Sequence, residues 1–269
     1  METKRLNFDR TGVLTVMVSP GIPDGFRHGF TTRLGGVSPA PFAGLNLGDK
    51  WGDAPTNVEE NRRRLCQVAG TDTLLAVSQV HGTRVLRVAA GADAPQVRAE
   101  EADGLCSDEP GLGISVHVAD CVPILMADPV TGACAALHAG GRGTVAGMSQ
   151  AGVAAMIANF GSQARHLRVA LGPCIGACCF EVGPEVVDQV EAAWPGARAA
   201  GIVLQFGERR PHVDLRLLLQ HQLAHAGVLL ENIDTTRACT HCDPAQRFYS
   251  YRRDGRRTGQ MVGFIVCAR

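Results

Sequence analysis

Apolar positions along the chain follow two rhythms. Short runs rich in Val, Ile, Leu and Ala, bounded by Gly, Pro, Asp or Ser, read as strands at Leu14–Val18, Leu74–Val80, Val85–Val88, Leu112–Val118, Pro123–Ala127, Ala133–His138, Leu167–Leu171 and Val262–Cys267. Several are apolar on both faces, as expected of strands covered on both sides. A helical rhythm appears three times. Thr56, with Glu59 three residues on, reads as a capping box opening a helix that stops near Gly70. Val145, Met148, Val153, Met156, Ile157 and Phe160 recur at helical spacing over about Thr144–Phe160. The third helix covers Leu215–Ala226 and ends at Gly227. Gly91–Gln96, with the acidic stretch Glu100–Asp103 after it, reads as an insertion between strands. Strands and helices interleave without a regular βαβ alternation, which argues for an α+β fold with mixed sheets over a doubly wound one.

Composition narrows the classes. Hydrophobic residues make up 45% of the 269 positions, enough for a full core. Lys plus Arg (26) equals Asp plus Glu (26), so there is no global pull toward nucleic acid or an anionic membrane, and any phosphate recognition must be local. No apolar run approaches the ~20 residues of a membrane helix. Met1–Arg10 is charged and lacks an apolar signal core. A soluble, cytoplasmic protein is expected. In that setting the ten cysteines read as reduced thiols, metal ligands or small buried residues, not disulfides.

The candidate chemistry sits at strand ends, where sites are usually built. Gln79-Val80-His81-Gly82 closes one apolar run, Ala119-Asp120-Cys121 interrupts another, and Leu137-His138-Ala139-Gly140 closes a third. Catalytic zinc takes three protein ligands from imidazole and thiolate and keeps a water position open, which a His81, Cys121, His138 set would satisfy. The separations of 40 and 17 residues match no local metal motif. On spacing alone, two core or turn histidines and a buried cysteine fit better. His-Glu-x-x-His is absent. The deaminase pattern is also missing, because Pro173-Cys174 is followed by Cys178, one residue too far. Cys239-Thr240-His241-Cys242 is a Cys-x-x-Cys with no partner pair, which argues against a zinc ribbon and for a loop beside the site.

The ordered set of motifs says more. His28-Gly29-Phe30-Thr31-Thr32-Arg33-Leu34-Gly35-Gly36 leads to Gly44-Leu45-Asn46-Leu47-Gly48 and Glu60-Asn61-Arg62. Gln79 to Gly82, Ala102-Asp103-Gly104 and Ala119 to Cys121 follow. His138-Ala139-Gly140 with Arg142-Gly143 comes next, then Gly172-Pro173-Cys174-Ile175-Gly176, Cys239-Thr240 and Phe248-Tyr249-Ser250-Tyr251-Arg252-Arg253. Over nearly its whole length the chain resembles the YfiH-like family, once called polyphenol oxidases or multicopper laccases and now regarded as purine nucleoside phosphorylases. The resemblance implies one α+β catalytic domain over residues 1–269, with layered mixed sheets flanked by helices. It implies zinc on His81, Cys121 and His138. It further implies phosphorolysis of adenosine, inosine, guanosine and methylthioadenosine to free base and ribose 1-phosphate, with adenosine deamination at the same site. Family members have also been linked to copper-dependent phenol oxidation and to editing of cell-wall precursors. The family usually carries Trp where this chain has Gly141, which bears on substrate preference.

Phosphorolysis needs an anion site. Gly140-Gly141-Arg142-Gly143 leaves a strand and enters a helix, where free N–H groups and Arg142 would meet phosphate. The plain alternative is a simple turn with Arg142 in solvent. Arg33 is a second anion candidate or else a loop arginine paired with an acid such as Asp49. Asn46 would bind base or ribose or else cap its own turn. Arg252 is a site candidate within a basic run that otherwise reads as a solvated face. Asp120, beside a ligand, is the candidate acid/base, or else caps a strand end. Cys239 is a further site candidate. Four readings compete: a zinc purine nucleoside phosphorylase and deaminase; a copper phenol oxidase, for which nine scattered histidines are poor material; a hydrolase with Cys121 as nucleophile and His138 as base; and a redox or metal-storage protein. The expected partners are purine nucleosides and phosphate, with neither nucleic acid nor membrane. Monomer and homodimer both stay open.

Overall fold

The computed structural model describes residues 6–11 and 14–268; residues 1–5 of the charged N-terminal run lie outside them. Fourteen strands form among the described residues. One mixed sheet runs, in spatial order, β1 (Asn7–Thr11), β2 (Leu14–Val18), β3 (His28–Thr31), β14 (Met261–Val266), β7 (Gly113–Val118) and β4 (Leu74–Leu75). The other runs β13 (Ile233–Asp234), β10 (Arg168–Leu171), β8 (Val122–Ala127), β9 (Cys134–Ala139), β6 (Gly104–Ser107) and β5 (Val85–Arg87). A short ribbon joins β11 (Val203–Leu204) to β12 (His212–Val213).

Alternation along the central strands sets the layers. In β8, Val122, Ile124 and Met126 face α4 (Met148–Phe160), α5 (Pro184–Ala193) and α6 (Leu215–His225). Leu125 and Ala127 face the opposite sheet, meeting Phe30, Ile114, Val116 and Ile265. Beyond the first sheet, Val262, Phe264 and Val266 of β14 pack on Leu65 and Ala69 of α1 (Pro55–Ala69). The result is an α–β–β–α stack, the α+β architecture expected, with both sheets covered on both faces. That explains why so many strands read as unbroken apolar runs. No helix among the described residues is long and apolar enough to cross a membrane.

Several local readings change. The first helix carries no capping box: Ala54 sits at its N-cap without a side-chain cap, Pro55 opens the first turn, and the Asp53 carboxylate accepts from the Ala54 amide at 2.8 Å. The helix expected over Thr144–Phe160 is two. Gly147, at φ 89°, ends α3 (Gly141–Val145) and restarts the chain as α4. The Leu74–Val80 run pairs as a strand only at Leu74 and Leu75. Beyond them the Gln79 side-chain amide takes over, bonding both the N–H and the C=O of His117 at 2.8 Å. The Gly91–Gln96 segment leads into a short helix, α2 (Ala94–Ala99). Tyr251–Asp254 closes the set as α7.

Candidate metal centre and its cleft

Register brings the three expected ligands together. In the β8–β9 hairpin Val122 pairs with Ala139, which places Cys121 opposite Gly140 and next to His138. On the other side of β9, Gly104 pairs with Leu137, so Asp103 lies across from His138. The turn carrying His81 folds over this corner. The donor atoms of His81, Cys121 and His138 all lie within 4.8 Å of one another, a set able to hold a metal ion. His138 is buried, Cys121 half-buried and His81 exposed, so one side of the cluster opens to solvent.

Three features of the chain fit a metal there. Gly140 supplies the space: a Cβ at this position would come within 2.5 Å of His81 Nδ1 and 3.0 Å of Cys121 Sγ. Asp103 supplies the support. Its carboxylate accepts from His138 Nδ1–H at 2.8 Å, from the His81 amide at 2.9 Å and from the Gly82 amide at 2.6 Å. These bonds leave His138 Nε2 free for a ligand role and hold His81 in a left-handed conformation, φ 63°, that non-glycine residues rarely adopt. The third feature is electrostatic. Burial pushes the Cys121 thiol up, but the His138 and His81 imidazoles beside it override burial and bring it down to about 6. Burial disfavours a charged His138, yet Cys121 and Asp103 together lift it to about 9. The thiolate is therefore the form the geometry prefers, which is the form a metal binds.

The three side chains line an open cleft of about 470 Å³, within the range of small-molecule sites. Asp120 and Arg252, both candidates from the sequence, share its lining, whereas Lys50, Trp51, Phe180, Tyr251 and Arg256 were not singled out there as site residues. Trp51 and Tyr251 stack with centroids 5.6 Å apart. Phe180 lies under the Arg252 guanidinium at 5.3 Å. Lys50, Arg252 and Arg256 bring three cations to the same cleft. Asp103 left a trace in the sequence as the centre of Ala102-Asp103-Gly104, and Tyr251 as part of the Phe248-Tyr249-Ser250-Tyr251-Arg252-Arg253 motif.

The remaining candidates separate. Asp120, at φ 90°, lines the cleft, but its carboxylate is taken: Oδ1 accepts from Thr240 Oγ1 at 2.5 Å, and Oδ2 from Ser250 Oγ at 3.0 Å and the Arg252 amide at 2.6 Å. It anchors the loops that carry the cleft wall. Arg252 lines the cleft, and its Nη1 donates to the Glu181 carbonyl at 3.1 Å. Arg142 is exposed on the five-residue α3 and does not line the cleft. A side chain at Gly141, by contrast, would meet the Phe180 ring, 3.5 Å from its Cβ, at the cleft edge. Arg33 sits elsewhere. It donates twice to the Ala43 carbonyl and lies over the Tyr249 ring at 4.8 Å, while Asp49 pairs with Arg62 and Arg98 instead. Asn46 is buried and spends its amide on Gly48, Asp53 and Gln260, the local capping alternative. Cys239 lies behind the cleft wall, where Cys178 and Cys179 give the Cys239–Cys242 motif the partner pair that sequence spacing does not reveal.

Fold and site together define an α+β protein that offers a His–Cys–His donor set inside a cation- and aromatic-lined cleft. The family model described as multi-copper polyphenol oxidoreductase laccase matches residues 27–268, and the chain belongs to that family. It is 38% identical over 263 residues to a purine nucleoside phosphorylase of Mus musculus, covering 94% of this chain but 58% of that protein. It is 39% identical over 257 residues to a purine nucleoside phosphorylase of Deinococcus radiodurans, covering 93% and 94% of the two chains. Among solved structures, YlmD of Geobacillus stearothermophilus superposes with a TM-score of 0.89 at 32% identity, over 99% of this chain and 100% of that one. YfiH of Bacillus licheniformis gives 0.88 at 31% identity, over 97% and 98%.

Proposed function

We propose that the protein is a zinc-dependent purine nucleoside phosphorylase. It would convert adenosine, inosine, guanosine or methylthioadenosine with phosphate to free base and ribose 1-phosphate, and deaminate adenosine at the same site. The observation that carries this reading is one cleft holding a His–Cys–His set, three cations and a group of aromatic rings. Relatives named purine nucleoside phosphorylase at 38% and 39% identity support it.

The chain's own residues divide the work. Lys50, Arg252 and Arg256 gather phosphate, the guanidinium of Arg252 being pre-set by the Glu181 carbonyl and the Phe180 ring. Trp51 and Tyr251 offer faces to a planar base. A phosphate oxygen forms the new bond to C1′ as the glycosidic C–N bond breaks, and the bonding pair leaves with the base. Asp120 spends its carboxylate oxygens on Thr240, Ser250 and the Arg252 amide, so it acts as a positioning residue that fixes the phosphate-binding arm. Zinc bound by His81, Cys121 and His138 would supply Lewis acidity and a water acidified toward pKa ~7. The test is product analysis: adenine and ribose 1-phosphate from adenosine only when phosphate is present, and inosine if deamination accompanies it. The absence of purine product from zinc-replete protein would refute the reading.

A second reading is a hydrolase with Cys121 as nucleophile. It is favoured by one observation, the low Cys121 thiol beside a protonated His138. Metal-free turnover abolished by a thiol alkylating agent would select it.

A further inference from the structure

We infer that Cys178, Cys179, Cys239 and Cys242 form a second metal site, a four-thiolate cage for zinc that staples the two loops behind the cleft wall. Their sulfur atoms all lie within 4.8 Å of one another. Cys178 Sγ and Cys242 Sγ are 3.6 Å apart. That is well beyond the ~2.05 Å of a disulfide, and close to the ~3.8 Å edge of a tetrahedron built on Zn–S bonds of ~2.3 Å. All four are free thiols.

Core packing does not account for this convergence. Cysteine as a small hydrophobe is buried, yet Cys178 and Cys242 are exposed. Backbone amides converge on one of the four sulfurs. Cys239 Sγ accepts the Gly176 amide at 3.2 Å and also receives the His241 and Cys242 amides from its own turn. Gly176 leaves room for the loop to close: a Cβ there would sit 3.2 Å from Cys178 Sγ and 3.3 Å from Cys239 Cβ. Zinc with four thiolates carries a net negative charge. Arg216 stands beside it, with Nη1 fixed on the Ala238 carbonyl at 2.9 Å and Nη2 3.4 Å from that same Cβ position.

The cage's place in the fold gives it a purpose. One of its loops continues into Phe180, and the other contains Thr240, which bonds Asp120 beside Cys121. Zinc in the cage ties both loops together and so holds the cleft wall without touching substrate. A thiolate-only set closed by four ligands is a structural site, not a catalytic one.

The experiment is metal analysis and cobalt spectroscopy on the full-length protein purified under reducing conditions. Wild type is expected to hold two zinc ions per chain. His81→Ala, which removes a ligand of the first site, is expected to keep one, and after cobalt exchange to show the intense thiolate-to-metal charge transfer of a four-sulfur centre. Cys178→Ser and Cys242→Ser replace exposed residues, so the fold, checked by circular dichroism, should survive while that band and one metal equivalent are lost. Cage and first site thus fail independently. The inference is overturned if His81→Ala binds no metal while all four thiols alkylate freely. It is equally overturned if mass analysis of the native protein finds Cys178 and Cys242 joined as a disulfide.

Discussion

Asp103→Asn tests how the first site is held. The carboxylate is fully buried and accepts three short bonds, from His138 Nδ1, the His81 amide and the Gly82 amide. Burial works against its charge, but the His138 bond and the amide donors hold its carboxyl below the usual range. An asparagine keeps the shape and replaces one acceptor oxygen by a donor. If the remaining oxygen faces His138 and His81, the amide nitrogen opposes the Gly82 N–H. Turned the other way, it opposes His138 Nδ1–H and drives the ring proton to Nε2, where a metal needs a lone pair. Either orientation loses a charge-assisted bond, a cost of about 1.5–3 kcal/mol. Loss of a carboxylate behind a metal-bound imidazole lowers affinity about 10–100-fold. Zinc affinity measured against a chromophoric chelator is therefore expected to fall by that factor, with the fold retained. Affinity equal to wild type would refute the role given to Asp103 and the ligand geometry of His138 with it.

Other perturbations separate the remaining parts. Gly140→Ala places a methyl group 2.5 Å from His81 Nδ1 and 3.0 Å from Cys121 Sγ, so about tenfold or more of metal affinity should go, as read by metal retention on dialysis; undiminished retention would remove the cradle from the account. Arg252→Ala should raise KM for phosphate about tenfold or more, while Arg142→Ala, outside the cleft, should leave the phosphate dependence unchanged; the reverse pattern would move the anion site to α3. His117 has a pKa lowered by burial to about 3, and its Nδ1 has no hydrogen-bond partner among the described residues. Its folded form binds fewer protons than the unfolded chain, so stability is lost as pH falls below about 6.5, by about 2 kcal/mol between pH 7 and pH 5. His117→Leu should flatten denaturation midpoints over that interval, and an unaltered slope would contradict the buried neutral imidazole.

What could be read beforehand followed the physics of each signal. Runs apolar on both faces marked β7, β8, β9 and β14 to within a residue or two, because a sheet covered on both sides imposes that pattern. Two-residue strands such as β12 and β13 leave no periodic trace, and the run that marks β4 extends five residues past it. The break at Gly147 was hidden inside a continuous helical rhythm, since a left-handed glycine interrupts the backbone without disturbing the spacing of apolar positions. His81, Cys121 and His138 were visible only as an ordered set of motifs, because ligands drawn from three strand ends have no fixed separation. The sequence favours Arg142 over Arg252 as the anion candidate, whereas Arg252 lines the cleft and Arg142 does not, because the direction of an exposed arginine depends on neighbours far along the chain. The cysteine cage was out of reach for the same reason: its two pairs lie some sixty residues apart and are brought together by the parallel bridge of Cys174 with Cys239.

The central claim is tested most directly by incubating adenosine with protein of known metal content, with and without phosphate, and resolving the products by mass-detected chromatography. The account predicts adenine and ribose 1-phosphate in equal amounts, formed only with phosphate and lost in Cys121→Ser. Phosphate-independent turnover, or no purine product from protein carrying zinc at the His81–Cys121–His138 site, would contradict it.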